Sequence, residues 1–308
     1  MIRACILLLK VVFLDRHDSI FPTKRLVRCR GCGCADGDPG RRLWGEELSM
    51  QSVRRIPLIL ALGAVAGIAF TPPAVAGPVP GDDYYQDALG KTGAELKAAL
   101  HGIIGNGTKL TYEQVWDGIR ATDEDPANPA NVVLLYSGRS QAKTANGGGV
   151  DDWNREHVWA KSHGDFGTAV GPGTDLHHLR AEDASVNSTR GNKDFDAGGS
   201  PVEEAPGSLT DDDSFEPRDA VKGDVARMIL YMAVRYDGTD GFPDLEPNDA
   251  VDNGSKPNIG RLSVLLKWNT QDPPDATEQR RNQVIFDRFQ HNRNPFIDHP
   301  EWAASIYG

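Results

Sequence analysis

The hydrophobic pattern of the chain changes character near residue 77. Before it, Ile56 to Phe70 forms an apolar run of fifteen residues without a charge, preceded by Arg54 and Arg55 and followed by Ala74-Val75-Ala76. A basic start, a short apolar stretch and a small-residue cleavage site predict a secretory signal peptide over residues 50–76. The run is too short to favour a membrane span, and nothing after Ala76 approaches the roughly eighteen apolar residues a transmembrane helix requires. The later pattern is mainly helical. Leu89, Leu96, Leu100, Ile103 and Ile104 recur at helical spacing over residues 84–104, with Gly90 and Gly93 as possible breaks. Thr111-Tyr112-Glu113-Gln114 predicts a capping box opening a helix through Val115, Trp116 and Ile119. A β-prone segment over 131–136 ends in Ser137-Gly138. Val225, Met228, Ile229, Met232 and Ala233 mark one face of a helix over 224–236, and two more helices are predicted over 261–268 and 277–290. No period of 20 to 50 residues repeats, which excludes a solenoid.

Between these helices lies a stretch with a different organisation. The glycines of 146–149 and 167–173 insulate the segment Trp153-Asn154-Arg155-Glu156-His157-Val158-Trp159, which predicts a compact strand. Residues 175–179 predict a returning strand and 181–190 a short helix, a β-loop-β-helix unit that brings His157 opposite Asn187. The predicted fold class is α+β, a mainly helical domain around this ββα core. Its chemistry is that of phosphodiester hydrolysis. Neutral His157 is a base suited to activating water near neutral pH. Glu156 supplies a hard anionic oxygen and Asn187 a neutral one, ligands that suit one divalent ion. Each has a plainer reading: a hydrogen-bonded core histidine, a salt-bridge partner of Arg155 and a helix cap.

These residues resemble those of the bacterial endonuclease I family, secreted or periplasmic nucleases with a ββα-metal (His-Me finger) site. The resemblance runs from residue 77 to the C terminus and is most specific in the central motif. It implies that Glu156 and Asn187 hold Mg2+, with Mn2+ or Ca2+ able to occupy the same place, and that His157 is the general base. Arg190, Asn192 and Lys193, and more weakly Arg155 and Arg227, are candidate phosphate contacts. Asp175, His177 and His178 are expected to support the site from behind: adjacent histidines on a strand would point to opposite faces, so at most one could face the ion. The segment 290–302 resembles the family's terminal segment and is read as packing first, with Arg293 as a possible cleft residue. One departure stands out. Many relatives carry a longer insert with cysteines and a phosphate-contacting arginine, whereas Val158 to Thr174 contains no arginine, so the transition-state cation must come from elsewhere.

Cysteine and charge usage refine this picture. All four cysteines, Cys5, Cys29, Cys32 and Cys34, precede the signal peptide; three close thiols without a partner fall short of a structural zinc set. Residues 1–49 are expected to be an extension from a misassigned start codon. The expected mature chain, 77–308, is one domain without cysteine, exported, free of the membrane and monomeric. It carries 22 Lys and Arg against 38 Asp and Glu, a formal charge of −16. Nucleic-acid binders usually carry a basic footprint, so this balance weighs against a non-catalytic nucleic-acid-binding module and favours an enzyme with a local basic cleft that cuts DNA, RNA or both. A zinc-dependent hydrolase of another polymer, using His157, His163 and either His177 or His178, is the other alternative. The acidic runs 211–213 and 237–252 lack the ligand spacing of an EF-hand and read as solvated loops.

Overall fold

A computed structural model describes residues 83–308, so the extension, the signal peptide and all four cysteines lie outside the described residues. The first predicted helix is broken as its glycines suggested: Gly90 and Gly93 adopt φ of +75° and +54°, and helix α1 (Gly93–Ile104) starts only at the second. It buries Leu96, Leu100 and Ile104, while Leu89, beyond the break, is left exposed. Helix α2 (Gln114–Thr122) opens with the predicted reciprocal cap: the Thr111 N–H donates to Gln114 Oε1 at 2.8 Å and the Gln114 N–H to Thr111 Oγ1 at 3.2 Å. Strands β1 (Glu124–Asp125), β2 (Asn128–Val133) and β3 (Ser140–Ala142) form an antiparallel sheet. The predicted strand over 131–136 therefore ends early. Leu135 leaves the sheet to donate its N–H to Ala181 O at 3.0 Å, and Tyr136 donates its own to the Glu182 carboxylate.

The next elements form the β-β-α unit. Strand β4 (Trp153–His157) pairs antiparallel with β5 (Leu179–Asp183) from Trp153 opposite Asp183 to His157 opposite Leu179, and helix α3 (Ala184–Arg190) follows directly. The returning strand is thus displaced from the predicted 175–179, because Asp175 bends the chain. Its Oδ1 accepts the His177 N–H at 2.9 Å, and residues 176–178 are turns. The helix also starts later than residue 181, at the cap where Asp183 Oδ1 accepts the N–H groups of Ser185 and Val186.

A second small sheet, β6 (Asp194–Phe195), β7 (Ser200–Pro201), β8 (Leu209–Thr210) and β9 (Ser214–Glu216), has the order β6-β9-β8-β7. Helix α4 (Lys222–Arg235) follows, then the parallel pair β10 (Glu246–Pro247) and β11 (Asn258–Ile259), and helices α5 (Leu262–Gln271), α6 (Ala276–Arg288), α7 (Pro295–Asp298) and α8 (Trp302–Tyr307). Almost every residue of α4 is buried, as befits a central helix surrounded by α1, α5 and α7. Its core includes Val158, Trp159 and Val186. A second core joins α2 to Trp153, Leu179 and Ala181. The β4–β5 pair is therefore anchored on both sides, which fixes the positions of its side chains. With short sheets between its helices, the fold is mixed α/β rather than mainly helical, and no helix among the described residues is long and apolar enough to cross a membrane.

Candidate active site

A cleft of about 430 Å³ opens where β4 meets α2 and α3, and its lining includes Arg155, Glu156, His157, Lys161, Asn187 and Asn192. His157, at the end of β4, is 6% exposed. Its Nε2 lies 3.1 Å from the Gly173 carbonyl; a carbonyl only accepts, so Nε2 carries the proton and Nδ1 keeps the lone pair. Burial, then the neighbouring His178, lowers the imidazole pKa to about 3. The ring is therefore neutral at physiological pH and can accept a proton through Nδ1.

Glu156 is equally buried, and burial raises its pKa against the opposing pull of Arg190 and the Tyr136 hydroxyl. Tyr136 donates to Oε1 at 2.7 Å, and Arg190 Nη1 lies 3.2 Å from the same oxygen. Both partners fall on Oε1, so Oε2 is left for another ligand. Asn187, halfway along α3, donates Nδ2 to Asn154 Oδ1 at 2.6 Å, which leaves its own Oδ1 available. One anionic and one neutral oxygen lining the same polar cleft fit a magnesium-type cation, which keeps several of its waters.

The other predicted residues divide between cleft and interior. Arg155 and the exposed Asn192 line the cleft. Arg190 does not: it is fully buried, with Nη1 donating to His157 O at 2.8 Å, Nη2 to Val158 O at 2.6 Å, and its guanidinium carbon 4.7 Å from the Phe195 ring centroid. Arg227 is also away from the cleft, held by both carboxylate oxygens of Glu278 at 2.7 and 2.5 Å. Arg293 pairs with both oxygens of Asp298 at 2.7 Å, in the packing role read first for its segment. Lys193 donates to Thr210 Oγ1 at 2.7 Å.

The three residues of the 175–178 turn sit behind the site. Asp175 Oδ2 accepts the hydroxyls of Tyr231 (3.1 Å) and Tyr236 (2.9 Å), tying the turn to α4. His177 turns inward, with Nε2 3.1 Å from Asn292 Oδ1 and its ring 4.2 Å from Tyr231. His178 lies 5.6 Å from the His157 ring, accepts the Trp159 N–H at Nδ1 and donates Nε2–H to Pro172 O at 2.7 Å. Consecutive carbonyls, Pro172 and Gly173, are thus held by His178 and His157, and the turn between the two histidines sets the orientation of His157. The zinc set does not assemble. Both ring nitrogens of His163 face carbonyls, Asn258 O at 2.7 Å and Asn192 O at 2.8 Å, and no cluster of three His, Cys, Asp or Glu suited to a metal exists among the described residues.

Four contributors escaped sequence reasoning. Tyr136 orients Glu156, Tyr112 in the turn before α2 and Trp116 on α2 line the cleft, and exposed Lys161 places a cation in it. Lys161 lies inside the very interval that lacks arginine, and a search for any cation there would have found it.

A deeply seated neutral imidazole beside a carboxylate and an amide oxygen in one polar cleft is an arrangement suited to hydrolysis, and the sequence comparisons place the chain in a family. The profile of the endonuclease I family matches residues 92–301, and the chain belongs to that family; it is a nuclease. It is similar to the extracellular ribonuclease of Bacillus amyloliquefaciens, 66% identical over 226 residues that cover 73% of this chain and 78% of the relative. The extracellular ribonuclease of Bacillus subtilis (strain 168) is 63% identical over the same coverage.

Proposed function

We propose that this protein is an exported, metal-dependent endonuclease that hydrolyses phosphodiester bonds of RNA and DNA with little sequence preference, leaving 5′-phosphate ends, and that β4, β5 and α3 are its ββα-metal (His-Me finger) core. The observation that carries the reading is the His157 hydrogen bond to Gly173 O, which reserves Nδ1 for a proton from water in a cleft that also holds the free oxygens of Glu156 and Asn187. Residues Glu156 Oε2 and Asn187 Oδ1 would hold the ion. A divalent cation bound there supplies positive charge to the scissile phosphate and the departing 3′ oxygen. His157 Nδ1 takes the proton of the attacking water, and the Gly173 carbonyl supports the imidazolium that forms. Lys161 supplies the cation that Val158 to Thr174 otherwise lacks. External water makes the 2′-hydroxyl unnecessary, so both sugars are substrates; the relatives named ribonucleases favour RNA as the one to test first. Their description as extracellular supports export, and we propose that the mature protein acts as a soluble monomer.

The test is digestion of single- and double-stranded RNA and DNA in magnesium, in excess EDTA and with His157→Ala. A positioned base contributes about 10²- to 10⁴-fold, so the variant should lose that much turnover, keep its magnesium affinity and regain part of its rate with added imidazole. Products should end in 5′-phosphate and 3′-hydroxyl. A 2′,3′-cyclic phosphate, or a variant within a few-fold of wild type, would overturn the role of His157.

A further inference from the structure

On the α2 side of the cleft lie three side chains for which phosphodiester chemistry has no use. Tyr112 lies in the turn just before α2 and Trp116 in the first turn of that helix, and the Arg155 side chain meets both rings. Both are half-buried and both line the cleft. The Arg155 guanidinium carbon lies 3.4 Å from the Tyr112 ring centroid and 4.0 Å from that of Trp116. Its Nη1 donates to Tyr112 O at 2.6 Å, which fixes the group against the rings. Tyr112 continues the surface to the base, its ring 6.0 Å from the His157 imidazole and 29° from parallel. Trp116 is braced edge-on by Trp153 at 5.2 Å.

Core packing explains the buried Trp153, whose indole N–H donates to Ala142 O at 3.0 Å. Trp116 packs in part against the same core, but its ring and that of Tyr112 stay half-exposed at the cleft, with the Arg155 guanidinium laid on both. The charge balance points the same way. A chain with 38 acidic against 22 basic residues after residue 76 gains little from long-range attraction to phosphates, so substrate affinity must come from short-range contacts. Aromatic rings and guanidinium planes accept the face of any base, which gives binding without sequence preference. A base can lie on such a platform only after leaving its own stack.

We infer that Tyr112, Trp116 and Arg155 form a base-stacking subsite that takes a nucleobase flanking the scissile phosphate and makes the enzyme prefer single-stranded over duplex nucleic acid. The inference rests on the nuclease reading above and adds the substrate's strand state to it. Arg155 acts here by bracing the two rings, whereas the sequence suggested a phosphate contact.

The test compares kcat/KM on a short single-stranded RNA, its blunt duplex, and single strands carrying one abasic nucleotide on either side of the cleaved bond. Loss of one base stack is worth roughly fivefold to a hundredfold, so about tenfold lies in the lower part of its usual range. Wild type should favour the single strand, and Trp116→Ala should lower kcat/KM on it about tenfold, mainly through KM, bringing the ratio of single strand to duplex toward one. An abasic nucleotide at one flank should cost wild type a similar factor and cost Trp116→Ala nothing further, because non-additive losses mark a shared contact. Trp116→Phe should restore most of the preference, and Tyr112→Leu provides an independent variant should Trp116→Ala fold poorly. Equal losses on single-stranded, duplex and abasic substrates, or an undiminished strand preference in both variants, would overturn the subsite. His157→Ala separates the two readings: retained turnover there refutes the nuclease mechanism, whereas failure of the subsite alone leaves His157→Ala inactive.

Discussion

Arg190 is where sequence and structure assign different work to one side chain, and Arg190→Met separates them. Methionine keeps the length and the packing on Phe195 but removes the charge and every donor. Two charge-assisted bonds disappear, to His157 O and Val158 O, and Glu156 loses its buried counter-charge at 3.2 Å. Both partners of that pair are at most 2% exposed, so solvent screening offers no relief. Two such bonds are worth about 3–6 kcal/mol, and breaking a buried ion pair costs about 3–5 kcal/mol. The two figures describe overlapping interactions and are not additive, so the expected destabilisation is about 4 kcal/mol, a fall in Tm of roughly 10 °C for a domain of this size. Scanning calorimetry in EDTA should show that fall. Saturating magnesium should recover part of it, because a cation held by Glu156 replaces the lost charge. Below the melt, KM for RNA should change little. A Tm within about 2 °C of wild type together with a KM raised about tenfold or more would mean that Arg190 reaches the phosphate, and the buried clamp would be refuted.

Two further outcomes follow from the same geometry. Lys161→Ala should lower kcat/KM by about 10- to 100-fold, on the scale of one lost charge-assisted contact, with Lys161→Arg restoring most of it; an Ala variant as active as wild type at low and high salt would assign the phosphate contact to another residue. His177, whose pKa burial lowers to about 4, should make folding acid-sensitive. The unfolded chain takes up this proton near pH 6.5 and the folded one only near 4, so the residue's stability contribution is intact above pH 6.5 and falls as pH drops through that window, by about 2 kcal/mol between pH 7 and 5. Denaturant titrations of His177→Leu should show a pH dependence flatter than wild type by that amount, and parallel curves for the two proteins would refute it.

The legible parts of this chain were those set by local chemistry. The Thr111–Gln114 cap, the break at Gly90 and Gly93, and the strand at Trp153 depend on neighbouring residues and stand close to where the sequence put them. Grouping Glu156, His157 and Asn187 was legible too, since all three line one cleft. Misplacement of the second strand has a single cause. Asp175-Leu176-His177-His178 has strand-like composition, but Asp175 turns it by capping His177, and the tyrosines that hold Asp175 lie some sixty residues further on in α4. The fates of the arginines were illegible for the same reason: whether Arg190 or Arg227 faces a phosphate or an interior carboxylate depends on what α3 and α4 pack against. Glu278, which holds Arg227, carries no local mark of that pairing.

Burial acts in opposite senses on the pKa values of the two central ionisable groups, lowering that of His157 and raising that of Glu156. Removing water from His157 disfavours its charged form and keeps the base unprotonated. The same removal makes the Glu156 anion costly, as its raised pKa records. Arg190 and Tyr136 act on Oε1, so a cation arriving at Oε2 would relieve part of the remaining desolvation, and part of its binding free energy would be that relief. Under the proposed mechanism, local geometry would in this way hold an ion and a phosphate in a chain that is acidic overall. Under that mechanism the surrounding negative charge would raise the local concentration of divalent cations while weakening the grip on cleaved, anionic product.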